Sequence, residues 1–345
     1  MNQLLLLLFS AVFVYAIVRY RRRLLTEDCT RLNFEAFDGD VMQLGETFVA
    51  KRRLTQTPTQ SIVCIHGFLE DMRYFTELYQ DPSIELILVT NSGYHCPFTT
   101  KDLGKPAWER GIPNPHAPYT IEYDAHAFGL AAINLATTSN VRLHGHSRGG
   151  AVVLDAVRQR QKELGGCEVV LEAAVLPQAK AFMGRSMRLP KVAEWFTPIS
   201  LGLVAKVPFY WYAGTVLSPL NRRKKELLPG LWNNAKTQSV VVENIKNMAD
   251  WGFKTDYSIF DYIKKGTFLI GESDYILDRQ TMIDSAERAH SGFDIIYTEN
   301  SSHFVSLDDP KYARSLAEKA ALKPKGKNKQ TKAKPKSILP KRGVS

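Results

Sequence analysis

The chain has 345 residues, 44% of them apolar and 23% charged, with 45 Lys and Arg against 35 Asp and Glu. Such proportions belong to a globular protein with a substantial core and exclude a disordered, collagenous or disulfide-framework chain. The formal charge of +10 is unevenly placed: Arg19, Arg21, Arg22 and Arg23, with eight Lys and one Arg after Ala320, hold 13 of the 45 basic residues, and the remaining 32 against 35 acids leave residues 24–319 near −3. The basic character therefore sits at the two ends, and the body gives no reason to expect specific nucleic-acid binding. Cys29, Cys64, Cys96 and Cys167 form no CxxC pair and have no metal-ligand spacing, so they read as free thiols suited to a reducing compartment.

Leu4 to Val18 is almost unbroken hydrocarbon. Fifteen helical residues span ~22 Å, and the flanks from Met1 to Tyr20 bring the run near the minimum for crossing a bilayer. Its positive charge follows the apolar run, whereas a cleaved secretory signal carries it before. Residues 1–23 are therefore expected to be an uncleaved single-pass anchor with its basic flank. The arginine cluster predicts that the rest of the chain stays on the cytoplasmic side, in agreement with unpaired cysteines.

Leu32–Phe37 and Glu46–Leu54 read as the first strands, joined at Asp38-Gly39-Asp40. Ser61–Ile65 is a short apolar β-branched run, as in a buried parallel strand, and it leads directly into His66-Gly67-Phe68-Leu69-Glu70-Asp71. Met72–Tyr79 predicts a helix and Ile84–Thr90 another strand. Asn91–Pro118 is a long loop rich in Gly, Pro, His and Thr, and Glu122–Thr137 is an amphipathic helix. The stretch from Val141 to Gly150 reads as a strand running into a sharp turn and a helix start, Ala151–Gly165 as helix and Cys167–Val175 as a strand. From 177 to 263 the alternation stops, and an aromatic-rich helical insertion is expected to act as a lid over a site. It carries the basic cluster Arg222 to Lys225, and Trp195, Phe196, Phe209 and Trp211 are its candidate lining for an apolar pocket. Alternation resumes with strand Thr267–Ile270, helix Gln280–Ala289, strand Phe293–Tyr297 and helix Pro310–Ala321. Residues 30–176 and 264–321 thus form two parts of one core. The Lys-rich tail 322–345 has the composition of a disordered segment, and its charge suits contact with anionic lipid.

Gly145-His146-Ser147-Arg148-Gly149 lies between a strand and an apolar helix start. Small residues allow a turn sharp enough to hold a serine hydroxyl clear of both elements, and the following helix directs amide donors at it. A serine needs a base to become a nucleophile. His303, just after the last strand in Ser301-Ser302-His303-Phe304, is the best placed of the eight histidines; His144 and His146 flank the serine too closely to curl back. The base needs a carboxylate to fix its tautomer, for which Asp274 leads over Asp278 and Glu272.

Nucleophile, acid and base at Ser147, Asp274 and His303, each after a strand, follow the chain order of one fold. In these motifs, over about residues 32–320, the sequence resembles the α/β-hydrolase superfamily. The resemblance implies a mostly parallel, eight-stranded-type sheet with helices on both faces, and it implies a cap where the 177–263 insertion lies. It also implies that the His66-Gly67-Phe68 turn is the oxyanion turn, with the Phe68 amide as one donor and the Arg148 amide as the second. One departure stands out. Arg148 occupies a position often apolar in this group, and its cation could sit near the acyl oxygen or point to solvent. The implied activity is esterase- or lipase-like: cleavage of carboxylic esters of lipophilic acyl groups through an acyl-enzyme. Thioesterase or acyltransferase chemistry with the same residues, or a non-catalytic binding role, is compatible with the same sequence. No metal or other cofactor is implied. The residues give no indication of oligomeric state.

Overall fold

The 25-residue helix α1 (Asn2–Thr26) opens the computed structural model, which describes residues 2–27, 34–100, 103–106, 108, 113–180, 190–204, 206–228 and 235–322. Side chains from Leu4 to Tyr15 are exposed on α1, and residues Gln3–Thr26 are long and apolar enough to cross a membrane. The last turns are different. Leu24 is buried and α1 packs against two helices of the insertion. The basic tail lies outside the described residues.

The strands are β1 (Glu35–Ala36), β2 (Asp40–Leu44), β3 (Thr47–Arg52), β4 (Gln60–Ile65), β5 (Ile84–Val89), β6 (Phe98–Thr99), β7 (Val141–His146), β8 (Glu168–Glu172), β9 (Lys265–Gly271) and β10 (Phe293–Thr298). Eight of them form one sheet in the order β10-β9-β8-β7-β4-β5-β3-β2. Only the β2–β3 and β3–β5 pairings are antiparallel; the other pairings in this sheet are parallel. The expected first hairpin is shifted. Its turn is at Gly45, which adopts φ +57°, a region open to glycine at little cost. Asp40 is already in β2, and the two residues of β1 pair with β6 instead. Asp38-Gly39-Asp40 has the residues of a turn, but tertiary pairing overrides the local signal.

Period-two alternation divides the parallel strands between two cores. Val63, Ile65, Leu143, Val169, Leu171, Phe268 and Ile270 face the helices α2 (Ile121–Leu135) and α3 (Arg148–Gln159). Ile62, Cys64, Leu86, Leu88, Val170 and Leu269 face the opposite layer, where Met72, Tyr74 and Phe75 pack with Ala313 and Leu316. Met72–Phe75 is a single 3-10 turn capped by Asp71 rather than the expected longer helix. A short helix α4 (Gln161–Leu164) precedes β8, after which comes the insertion, which contains α5 (Pro190–Val204), α6 (Phe209–Val216), α7 (Arg222–Leu227) and α8 (Ala235–Lys254). After it come α9 (Arg279–Ala286), α10 (Val305–Asp308) and α11 (Lys311–Leu322). The C-terminal end of the insertion is core material: Trp251, Ile259, Phe260 and Ile263 are buried in the same cluster as α2 and α3.

The basic cluster of the insertion points inward at two positions. Arg223 pairs with Glu35 at 2.7 Å and donates to Thr76 Oγ1 at 2.9 Å. Lys224 is fully buried, ion-paired with Asp308, and donates to Leu217 O at 2.7 Å and Ser302 Oγ at 2.9 Å. Asp308 also accepts from the Ser302 amide at 2.8 Å. The insertion is thus riveted to the loop that carries His303. Removing one member of a buried ion pair leaves an uncompensated charge. Lys224→Met is therefore expected to destabilise the domain by about 3–5 kcal/mol, and adding Asp308→Asn should recover part of the loss; thermal melts of the three proteins check both steps.

Candidate active site

Strand β7 ends at His146 and α3 begins at Arg148, so Ser147 alone makes the turn. It does so at φ 52°, ψ −119°, a strained backbone for a non-glycine residue that costs about 1–3 kcal/mol and persists only when its surroundings enforce it. They do so with three hydrogen bonds. The Ser147 amide donates to Glu172 O at 2.9 Å, and its carbonyl accepts from Gly150 N and Val175 N, each at 2.9 Å. A Cβ on Gly149 would lie 2.3 Å from Ile65 O, so only glycine lets α3 approach β4 this closely. A Cβ on Gly67 would lie 2.7 Å from Ser147 Cβ. The turn after β4 is therefore pressed directly against the serine.

The structure brings Asp274 and His303 together from the ends of β9 and β10. The Asp274 carboxylate accepts from His303 Nδ1 at 2.7 Å and from the amides of Ile276 and Leu277 at 2.8 and 3.0 Å. Burial opposes its charge, but the neighbouring imidazole and the two amides hold its pKa below the usual carboxylate range. The competing acids are occupied elsewhere. Asp278 caps α9 through Thr281 N, and Glu272 accepts from Asn300 N. With Nδ1 held, Nε2 is the edge of His303 that no described residue bonds.

His146 supplies a connection that sequence reasoning missed. Its ring is fully buried, stacks on Tyr74, and lies 5.0 Å centroid to centroid from His303. Nδ1 faces Glu70 Oε2 at 2.7 Å and Nε2 faces His303 O at 2.9 Å. Both partners only accept, so both nitrogens must carry protons. Burial disfavours that charge, yet Glu70 and these hydrogen bonds outweigh it and push the pKa up to about 9. Glu70 also accepts from Gly67 N at 3.0 Å. Glu70, His146 and His303 bring possible metal-ligating atoms within 4.8 Å of one another, but both His146 nitrogens are already committed. Beneath them Glu172 accepts from Tyr74, His144 and Ser306 at 2.6, 2.9 and 2.6 Å. Burial works against its charge, and these donors with His146 hold its pKa near 2.

Arg148 takes neither of the two orientations left open by the sequence. Its guanidinium is fully buried, 2.6 Å from Asp124 Oδ2 and bonded to Asn91 Oδ1. Asn91 Nδ2 in turn donates to the carbonyls of His66 and Gly67 at 3.1 and 3.2 Å. The arginine braces the turn after β4 from behind, because a charge at the start of α3 finds its carboxylate on α2 rather than in the cleft. Among the described residues no group engages the backbone amides of Phe68 or Arg148. Of the aromatic residues expected to line a pocket, Trp195 and Phe196 pack edge to face with 4.8 Å between their ring centres. Trp195 packs on Arg21 of α1, Phe196 is exposed, and Trp211 is 80% exposed. Phe209 alone of the four packs toward the core cluster that contains Phe304. Aromatic density in a sequence does not say which face of a helix is covered.

The strand order, the turn at Ser147 and the placement of Asp274 and His303 after the last two strands define a class, and comparison with known families agrees. Residues 62–314 match the model of the alpha/beta hydrolase family, and the chain belongs to that family. Comparison with curated proteins finds no match. Solved structures with the same fold include an esterase from Exiguobacterium antarcticum, at 16% identity and TM-score 0.57, over 82% of this chain and 99% of the other. A bacterial membrane phospholipase A aligns over 94% of this chain and 100% of its own at 14% identity and TM-score 0.54. A thermophilic esterase from Thermogutta terrifontis shares 15% identity at TM-score 0.54, over 83% and 98% of the two chains. At these identities the likeness is one of fold.

The raised pKa of His146 has a defined consequence for stability. The folded state holds this proton more tightly than the unfolded chain, so its contribution is complete below about pH 6.5 and is lost as pH rises through about 9. The midpoint of urea unfolding should fall across that window, and His146→Gln should flatten the fall.

Proposed function

We propose that the protein is a serine hydrolase that cleaves carboxylic esters of lipophilic acyl groups, with Ser147 as nucleophile, His303 as base and Asp274 as the carboxylate that orients it. The observation that carries this reading is the buried 2.7 Å contact between Asp274 and His303 Nδ1, on the loops that follow β9 and β10, together with a serine held at positive φ after β7. Fixing Nδ1–H on Asp274 leaves Nε2 as the proton acceptor for the Ser147 hydroxyl. The hydroxyl oxygen attacks the ester carbonyl, and the proton passes to His303. The oxyanion that forms is received by the amides of Phe68 and Arg148. His303 then protonates the departing alkoxide, and water, deprotonated by the same imidazole, releases the acid from Ser147. His146 is not the base in this scheme, because a ring with both nitrogens protonated has no lone pair left to take another proton.

Three observations support a lipophilic substrate: the exposed apolar α1, Phe209 packed beside the Phe304 cluster, and a fold shared with a membrane phospholipase A and esterases. Ser147→Ala should abolish labelling by a fluorophosphonate and lower ester turnover by about 10⁴-fold or more, with Asp274→Asn less severe. In wild type, kcat/KM should rise with acyl length, since each buried methylene contributes about 0.8 kcal/mol. Turnover of Ser147→Ala within tenfold of wild type would overturn the assignment, and a profile that favours acetyl esters would overturn the lipophilic specificity.

We further propose that α1 is a single-pass anchor that stays attached and leaves the hydrolase domain on the cytoplasmic side, with the basic tail adding contact to anionic lipid. Support comes from the buried Leu24 and from Arg21 Nε donating to Trp195 O at 2.9 Å, which make the end of α1 part of the folded domain. Full-length protein should stay with membranes through carbonate extraction, and protease added to sealed cytoplasm-side-in vesicles should spare the domain. Cleavage of intact vesicles would overturn the orientation, and extraction into the soluble fraction would overturn the anchor.

A further inference from the structure

We propose that the corner between α5 and α6 is a second membrane contact, seated in the headgroup layer of the leaflet from which α1 emerges, so that a lipid surface covers it. This rests on reading α1 as a membrane anchor. The end of that helix is gripped by the insertion. A Cβ on Gly202 would lie 2.7 Å from Leu24 Cδ1 and 3.1 Å from the Tyr20 hydroxyl. Lys206 Nζ sits 4.6 Å from the centre of the Tyr20 ring, and the Arg21 guanidinium lies 5.3 Å from the Trp195 ring centre.

This grip sets a height. From Val18, the last residue of the apolar run, to Leu24 a helix rises only ~9 Å. The headgroup layer outside a ~30 Å hydrocarbon core is itself ~5–8 Å deep. Whatever holds residues 20–24 is thus carried to the membrane surface with them.

The residues carried there have the composition of that layer. On α5, Trp195, Ile199 and Gly202 make the side that meets α1 or the protein interior, while Phe196 and Leu203 are exposed about a quarter-turn away. Val207, in the turn that follows, is exposed as well. Directly beyond it Tyr210 is 57% exposed and Trp211 80% exposed, and Lys225 Nζ lies 4.5 Å from the centre of the Tyr210 ring. Exposed Lys206 and Lys225 complete the patch. Tyr and Trp with Lys and Arg at their rim are the residues that settle at a membrane–water interface. A second copy or a protein partner would fit the apolar part of the patch. Only a bilayer also accounts for its position at the foot of a helix whose own exposed residues are hydrocarbon.

The test is tryptophan quenching in the full chain, reconstituted in phosphatidylcholine–phosphatidylglycerol vesicles whose acyl chains are brominated near the headgroup or near the bilayer centre. The emission of Trp211 is read as the difference between wild type and Trp211→Phe, a change at an exposed side chain that leaves the core untouched. That difference should lose intensity with shallow bromines, as for a tryptophan at headgroup level, and resist iodide in the water. Quenching by iodide but not by bromolipid overturns the proposal, as does protection from both, which would place a protein over the patch. The anchor is read separately through Phe9→Trp in the Trp211→Phe background, quenched by deep bromines. Deep quenching at position 9 with no lipid quenching at Trp211 overturns the docked corner and leaves the anchor standing. Without deep quenching at position 9, both fall.

Discussion

The site depends on a buried imidazolium. His146 lies on the strand that leads into Ser147, bonds Glu70 from the turn after β4, and donates to the carbonyl of His303 itself. Three loops that are far apart in the chain are thus held by one ring at the carboxyl edge of the sheet. The charge makes this strong, because hydrogen bonds between ionised partners in a water-excluded site are shorter and stiffer than neutral ones. It also makes the arrangement demanding, since loss of either partner leaves a charge buried alone.

Around that centre the polar groups form a scaffold behind the serine rather than a lining for a cleft. Glu172 joins Tyr74, His144 and Ser306 beneath the turn. Arg148 reaches away from the serine to Asp124 and Asn91, and through Asn91 to the carbonyls of His66 and Gly67. Lys224 ties the insertion to Ser302, next to His303. Precise placement matters for any reaction in which a base must meet a nucleophile, and rigid supporting contacts are how a protein secures it. The backbone strain at Ser147 is sustained by the same surroundings.

The insertion has two attachments with different physical characters. Toward the core it is fixed by Arg223, Lys224 and the apolar residues of its C-terminal end. Toward α1 it offers a shallow apolar seat at Gly202 and ring contacts with cations. The helices 190–216 therefore connect the hydrolase core to α1, with Trp195 against α1, Phe209 toward the core, and Phe196, Tyr210 and Trp211 exposed.

Much of the fold could be read along the chain, because local patterns create it. Continuous β-branched runs make buried parallel strands, glycines bracket the turn at Ser147, and strands precede both Asp274 and His303; each signal lies within a few residues. The direction of a side chain after the backbone turns is not a local property. Arg148 reads from the sequence as facing the acyl oxygen or solvent, and it turns into the core because α2 brings Asp124 beside it. His146 stands too close to the serine in sequence to curl back as its base, and the partners it bonds instead are 76 and 157 residues away. The basic cluster Arg222 to Lys225 gives no local sign of which member is buried; Lys224 is, because Asp308 and three carbonyl or hydroxyl oxygens surround its ammonium group. The sequence by itself determined the order of strands and helices and which residue types stand at their ends, since period and turn chemistry are written in neighbours. Tertiary structure decided which buried charges meet, since a charge leaves water only where distant segments supply its partner.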